Sequence, residues 1–258
     1  MCAFRCALFL FASFLACSAA DTQQAPPTSP PPPHRDPQAL SLLAQCNGAM
    51  GGASILDTYA SGTLTTDDPD VPSVSITTQT KGAAERFDTS SPKDQTFVLN
   101  GAQSWALRSG KQERVSYALS AFHRPEHVPA LACLLDQPKA NMSFVYLGAE
   151  IVIGHTAHRI KIFVPPSGKD STDSMLSELN LFLDAQSLVV LKTERFVFDP
   201  HALENRSVWA TYYSDYRRVG AALMPFHIKN YLDGHKVRDI TFTSVQVNVG
   251  LSDLLFKK

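Results

Sequence analysis

The sequence has little net charge and no block of one sign. Lysine and arginine total 23, and aspartate and glutamate total 24, so the formal net charge of the 258 residues is −1. Proteins that bind nucleic acids usually carry a clustered basic surface, and segments that bind anionic lipids carry a basic block. The composition gives neither signal, and we predict no nucleic-acid partner.

Long apolar runs are also missing. The N-terminal segment has one positive charge, Arg5, then an apolar run over residues 7–16 and then small residues, which is the layout of a secretory signal peptide. The run is shorter than the roughly 20 apolar residues that a spanning helix needs. We therefore predict a signal peptide over residues 1–20 and an exported protein, rather than a buried N-terminal helix.

The processing site has two alternatives. Small residues ending at Ala20 suit ordinary signal peptidase, which would release the protein into the periplasm. The stretch that ends at Cys17 is similar to a bacterial lipobox, although Phe14 and Leu15 depart from the usual residues. Cys17 is thus the lipidation candidate, and its lipid would attach the protein to the outer membrane.

Cysteines are few, and most lie in the targeting segment. Cys2, Cys6 and Cys17 precede the mature domain, which leaves Cys46 and Cys133. In an oxidising compartment these two can form a disulfide. The alternative is two separate buried thiols, and the sequence does not decide between them because it shows no geometry.

Catalytic signatures are absent, with one apparent exception. The chain has no G-x-S-x-G, no glycine-rich phosphate loop and no C-x-x-C, but residues His123–His127 read HRPEH, the inverted zinc-protease pattern. That pattern needs both histidines on one helix, and Pro125 between them is tolerated only in a first turn. We interpret the match as coincidence, with the two histidines at the polar edge of a lid helix. We expect no metal, no cofactor and no enzymatic activity; an enzyme that uses His123, Glu126 and His127 is the least favoured hypothesis.

What the chain does have is a proline-rich tract, one helix signal and many strand signals. Residues 25–37 read APPTSPPPPHRDP, which predicts an extended spacer. We assign residues 21–37 to a linker and 38–258 to a single domain. Asp36 and Pro37 are typical of a helix start, and Gly51 with Gly52 is typical of its end.

Alternation of apolar and polar residues dominates the rest of the chain. Turn signals occur at Asn100-Gly101, Gly154 and Asp233-Gly234. The pattern predicts an α+β, mainly β domain: a strongly curved antiparallel sheet of about 10–11 strands, an incomplete barrel, covered by a few helices. Residues 117–137 interrupt the alternation with helical spacing, which predicts one or two short helices.

Three stretches resemble the LolA/LolB-like superfamily of periplasmic lipoprotein carriers. They are TFVLNGAQSWALRSGKQERV, which is similar to that family's central hairpin, and SDYRRVGAALMPFHI and VRDITFTSVQVNVGLSDLLF, which are similar to the closing strands of a related group. The resemblance covers nearly the whole mature domain. It implies a half-barrel whose hydrophobic cavity takes acyl chains beneath a helical lid.

The resemblance suggests candidate cavity residues on both the sheet and the lid. Those on the sheet are Phe97, Leu99, Trp105 and Leu107, and those on the lid are Leu131, Leu134 and Leu135. The alternative for each is a place in the ordinary core. The carrier's arginine-proline pair, whose arginine helps to hold the lid closed, is missing; the comparable stretch reads TKGAAERF, where Lys81 or Arg86 can substitute.

The favoured function is a cell-envelope binding or carrier protein for lipid or lipoprotein acyl chains. A dry pocket is a sufficient driving force, because burial of each CH₂ contributes about 0.8 kcal/mol. The envelope membrane is a second partner if Cys17 carries a lipid. The alternative is a non-catalytic structural or accessory envelope protein with the same fold and no ligand.

Overall fold

The domain begins slightly before its predicted boundary. The computed structural model describes residues 32–68, 70–90, 94–167, 171–199 and 202–258, so the predicted signal peptide, Cys17 and most of the linker lie outside the described residues. The N–H of Phe144 donates to the carbonyl of His34 (2.7 Å), and the N–H of Asp36 donates to the carbonyl of Phe144 (3.0 Å). The last residues assigned to the linker therefore belong to the folded domain.

The first helix has the predicted signals at both ends. The described residues form the helices α1 (Pro37–Met50), α2 (Tyr117–Ser120), α3 (Pro129–Ala132) and α4 (Thr172–Ser177). The Asp36 carboxylate caps α1 by accepting the N–H of Gln38 at 2.8 Å. Gly51 ends it with φ 68°, and an added Cβ there would lie 2.3 Å from the carbonyl oxygen of Ala221. The prediction of this helix is confirmed.

All the strands belong to one antiparallel sheet. They are β1 (Asp57–Thr65), β2 (Val74–Lys81), β3 (Ala84–Thr89), β4 (Gln95–Leu99), β5 (Trp105–Arg108), β6 (Lys111–Arg114), β7 (Ser143–Val152), β8 (His155–Phe163), β9 (Leu179–Asp184), β10 (Val190–Asp199), β11 (Ala202–Val219), β12 (Ala222–Leu232) and β13 (His235–Val247). The order is β6-β5-β4-β3-β2-β1-β13-β12-β11-β10-β9-β8-β7, with β6 and β7 as the edge strands. The predicted open sheet is confirmed, with thirteen strands in the described residues rather than about 10–11.

The three predicted turns connect neighbouring strands. Asn100-Gly101 lies between β4 and β5, Gly154 between β7 and β8, and Asp233-Gly234 between β12 and β13. All three glycines have positive φ, a conformation that glycine adopts without steric cost. Turn chemistry therefore predicted the local pairing of the strands correctly.

Helix α1 packs on one face of the sheet, which we call the concave face. It contacts both β7 and β12, which lie five strands apart in the sheet order, so the sheet must curve around the helix. The helix buries Ala39, Leu42, Leu43, Cys46 and Met50. These residues belong to the main hydrophobic core, together with buried side chains of the sheet. Full burial of one leucine or methionine side chain contributes about 1.5–3 kcal/mol. No helix in the described part of the chain is both long and apolar enough to cross a membrane.

Candidate functional site

A cavity remains on the concave face where the chain between β6 and β7, residues 115–142, covers the sheet. We call this chain the insertion. The cavity has a volume of about 490 Å³. Its apolar lining consists of Phe87, Phe97, Leu99, Ala106, Val115, Leu119, Val197 and Trp209. Strands β3–β6 and strands β10 and β11 thus meet the insertion around one cavity, whose lining also includes charged residues.

Two of the four candidate residues on the sheet line the cavity, and two do not. Phe97 and Leu99 are in its lining. Phe97 pairs across the strands with Ala106, whereas Trp105 pairs with Val98. Because cross-strand partners point to the same face, Trp105 and Leu107 lie on the opposite face from the cavity. This part of the interpretation is corrected by the register of β4 and β5.

The three candidate lid leucines lie outside the cavity lining. Leu131 is 2% exposed within the main core, and Leu134 and Leu135 pack against that core. Helix α3 is a single turn and contacts α1. The cavity is instead covered by an earlier part of the insertion, which contributes Val115, Leu119 and the histidine segment.

The two mature cysteines are joined in the structure. A disulfide connects Cys46 on α1 with Cys133, which directly follows α3, and their Cα atoms are 6.5 Å apart. Both side chains are fully buried. The bond ties the insertion to the helix that fills the core.

The HRPEH segment is buried, which corrects its predicted place at the polar edge of a helix. It lies between α2 and α3 in non-helical conformation, and its histidines bind Glu85 on β3. The Nδ1 atom of His127 is 2.6 Å from Oε1 of Glu85, and the Nε2 atom of His123 is 2.9 Å from Oε2. The N–H groups of Glu126 and His127 also donate to this carboxylate, at 3.3 and 3.2 Å. The contacts of Glu85 therefore hold the insertion against the sheet.

The pKa values of Glu85 and His127 shift in opposite directions. Burial alone would raise the pKa of Glu85, but the charge and hydrogen bond of His127 and the close contact of His123 outweigh it and hold that pKa well below its ordinary value. Burial likewise opposes the charged form of His127, yet the Glu85 charge and hydrogen bond raise the pKa of His127. Both directions describe one buried ion pair.

Glu126 points into the sheet and is bound by donors from two strands. Its Oε1 atom accepts the indole N–H of Trp209 at 2.8 Å, and the Thr211 hydroxyl and the Asn230 amide also donate to it. Burial would raise the pKa of Glu126, but the charges of Arg195 and His127 and these hydrogen bonds lower it. The carboxylate is thus ionised and accepts three hydrogen bonds at Oε1, which suits a structural role.

The residues proposed to replace the family's arginine do not contact the insertion. Lys81 forms an ion pair with Asp253 at 2.6 Å, and Arg86 forms one with Asp88 at 2.8 Å. Their neighbour Glu85 makes the contact instead. A signal for it was present: Glu85 and Phe87 are two residues apart on β3, so a charged residue shares the face of an apolar one.

Metal binding finds no support in the described residues. Within these ranges no group of three or more histidine, cysteine, aspartate or glutamate side chains is arranged to hold a metal ion. The two histidines of the zinc-like pattern are engaged with Glu85. The pattern in the sequence thus reflects a structural contact.

Comparisons with known proteins identify the fold. No protein-family model and no curated protein match the chain. Among solved structures it is similar to a domain from Vibrio parahaemolyticus assigned as an outer membrane lipoprotein-sorting protein, with TM-score 0.56 and 12% identity over 85% of this chain and 96% of that one. It is also similar to a DUF1329-family protein from Desulfovibrio piger, with TM-score 0.55 and 13% identity over 85% and 96%. A LolA-superfamily protein from Nitrosomonas europaea gives TM-score 0.54 and 13% identity over 85% and 97%. With its open sheet, thirteen-stranded in the described residues, around α1 and the insertion, the chain shares the fold of these structures, which is LolA-like.

Proposed function

We propose that this protein binds the acyl chain of a lipid or lipoprotein in the concave cavity. The observation that supports the proposal is the cavity of about 490 Å³ between the sheet and the insertion, which Phe87, Phe97 and Leu99 line on the sheet side. Sites for small ligands commonly have volumes of about 300–1,000 Å³ and mostly apolar linings. Burial of an acyl chain contributes about 0.8 kcal/mol per CH₂, so binding needs no chemical step.

The same proposal places the protein in the cell envelope. A signal peptide over residues 1–20 would export it, and the proline-rich residues 25–33, which precede the folded domain, would act as a spacer. At about 3.1 Å per residue, this tract reaches roughly 28 Å. If Cys17 is lipidated, that length lets the cavity stand clear of the membrane surface. The intact mass of the mature protein distinguishes lipidation from cleavage after Ala20.

We further propose that the protein acts by binding, without catalysis. Two buried carboxylates, Glu85 on the sheet and Glu126 in the insertion, already accept hydrogen bonds from the protein itself. These contacts fix the position of the insertion over the cavity. The structural neighbours named above support a carrier role for the same architecture.

A cavity-filling variant tests the function. Leu99→Trp places a large side chain in the cavity, and Leu107→Trp makes the same change on the opposite face of the adjacent strand as the matched control. Each protein is purified, extracted and analysed for lipid by mass spectrometry, and its affinity for a fluorescent fatty acid is measured. We expect Leu99→Trp to lose at least about tenfold in affinity, and Leu107→Trp to keep the affinity of the unchanged protein.

The opposite results separate the alternatives. If the unchanged protein neither co-purifies with lipid nor binds the probe, the proposal fails and a structural role without a ligand is favoured. If both variants lose affinity equally, the ligand does not occupy the cavity described above.

A further inference from the structure

The cavity carries an unbalanced set of charged side chains. Its lining includes the arginines Arg108, Arg114, Arg195 and Arg238 and the glutamates Glu85, Glu113 and Glu126, a formal excess of one positive charge before the histidines are counted. The raised pKa of His127 adds to this excess. An acyl-binding cavity needs no such charge, so the polar part of the lining calls for a separate explanation.

The glutamates have hydrogen-bond or ion-pair partners, whereas the arginines act on them only through their charge, as Arg195 does on Glu126. Glu85 binds the two histidines, Glu126 binds three hydrogen-bond donors, and Glu113 lies 3.3 Å from Lys111. In the described part of the chain, none of the four guanidinium groups has a carboxylate at ion-pair distance. Two of them only stack on rings, at 4.8 Å from the Phe97 centroid and 5.2 Å from that of Trp209. Their hydrogen-bonding edges are available to a ligand.

Two further polar groups in the lining are buried without a hydrogen-bond partner. The Nδ1 atom of His123 and the hydroxyl of Ser116 both have this property among the described residues. The Nε2 atom of His123 touches Glu85 at 2.9 Å, but in a direction that makes no hydrogen bond. The His123 side chain is only 4% exposed. A buried polar group without a partner costs about 1–3 kcal/mol, which a polar ligand atom would offset.

These groups lie around one end of the cavity. A line of contacts runs from His123 through Glu85 to the backbone of Glu126, and from the Glu126 carboxylate to the indole of Trp209. Arg195 is the cross-strand partner of Trp209 on β10 and β11. The Arg238 guanidinium lies over the Trp209 ring. Arg195 and Arg238 thus both neighbour Trp209, one as its cross-strand partner and one over its ring, and the line of contacts through Glu126 and Glu85 connects them to His123.

We propose that the ligand is an acidic amphiphile with a single acyl chain. Its carboxylate or phosphate binds Arg195 and Arg238, with His123 as a further donor, and its chain lies on Phe87, Phe97 and Leu99. The planar guanidinium group presents paired donors that match the oxygens of a carboxylate or phosphate. This inference rests on the proposed function and adds the class of headgroup.

The test compares ligands that differ only in the head. Palmitate, methyl palmitate and a palmitoyl lysophosphatidate compete with a bound fluorescent fatty acid on the purified full-length protein. We expect palmitate to bind at least about tenfold more tightly than the ester. Tighter binding by the lysophosphatidate than by palmitate would identify a lipid phosphate as the natural head; the reverse order would identify a free fatty acid.

Variants assign the effect to the arginines. Arg195→Gln and Arg238→Gln should each reduce the preference for acid over ester by about tenfold, and the circular dichroism spectrum and urea denaturation of each variant check that it is folded. Arg206→Gln is the control, because Arg206 stacks on Phe196, 4.3 Å from the ring centroid, and does not line the cavity.

Two results would overturn the inference. Equal binding of acid and ester, unaffected by either arginine variant, refutes the acidic headgroup and leaves acyl binding intact. Failure of all three ligands to bind refutes the proposed function and, with it, this inference.

Discussion

The two halves of the concave face differ in how they are filled. Strands β7–β9 present Phe144, Ile160, Ile162, Leu181 and Leu183, all with 0% exposure, to the core around α1. Strands β3–β6 present Glu85, Phe87, Phe97, Leu99 and Ala106 to the insertion and leave a cavity. In both halves, apolar and polar residues alternate along the strands. The continuous fourteen-residue helix α1 covers one half, whereas the one-turn helix α2 and a loop that an ion pair holds against the sheet cover the other.

This comparison predicts unequal responses to the same truncation. Leu181→Ala removes a fully buried side chain from the filled half and should lower the free energy of unfolding by about 2–5 kcal/mol. Leu99→Ala enlarges a cavity that already exists, so its loss should stay near 1 kcal/mol or below. Urea denaturation measures both, and acyl-chain affinity should fall only for Leu99→Ala. Equal losses of stability would show that the hollow half is packed as tightly as the filled half.

The disulfide joins α1 to the insertion, and its removal should have the next largest effect on stability. It closes a separation of 87 residues between Cys46 and Cys133. We expect the double variant Cys46→Ser, Cys133→Ser to lose about 2–4 kcal/mol of stability. Dithiothreitol should destabilise the unchanged protein by a similar amount and leave the double variant unaffected. A reductant effect of the same size on both proteins would mean that the bond is not its cause.

The smallest expected effect is the pH dependence of the charged pair in the hollow half. The pKa of Glu85 is lowered in the fold, so the stability it contributes is present above its ordinary value of 4.5 and is lost as the pH falls below it. The pKa of His127 is raised, so its contribution is present below 6.5 and is lost as the pH rises through the folded value. The pair is therefore fully effective between these two values.

Glu85→Gln tests that window. The difference in unfolding free energy from the unchanged protein should be largest between pH 4.5 and 6.5, on the order of 1–3 kcal/mol, and should shrink on both sides. Asp239→Asn is the matched control, because the His227–Asp239 pair is more exposed, with 29% and 21% of its side chains accessible. Its loss should be about 0.2–1 kcal/mol. A flat difference for Glu85→Gln across this pH range would refute the buried ion pair.

Predictions from local chemistry were accurate in this chain. Asp36, Pro37 and Gly51 act within a few residues of the helix ends they define, and the turn glycines set the hairpins. Such signals operate over short separations, where the sequence itself determines which groups meet. The resemblance to lipoprotein carriers, carried by strand and turn patterns, predicted the open sheet for the same reason.

Predictions that needed long-range partners were less accurate. The face of Trp105 and Leu107 depends on the register between β4 and β5, which alternation alone leaves open. The buried place of His127 depends on Glu85, 42 residues earlier in the chain. Neither histidine carries a local sign of that partner, so a polar edge was the natural interpretation.

The sequence by itself determined the elements of this protein: the capped helix, the alternating strands, the turns and the interrupted segment that covers the sheet. Only the tertiary structure decided which half of the concave face is filled and which is hollow, and which charged residues face the hollow. The physical reason is the separation along the chain over which each kind of interaction acts. Backbone propensity and capping act between neighbours, whereas burial, strand register and the pairing of Glu85 with His127 arise only when distant segments close on one another.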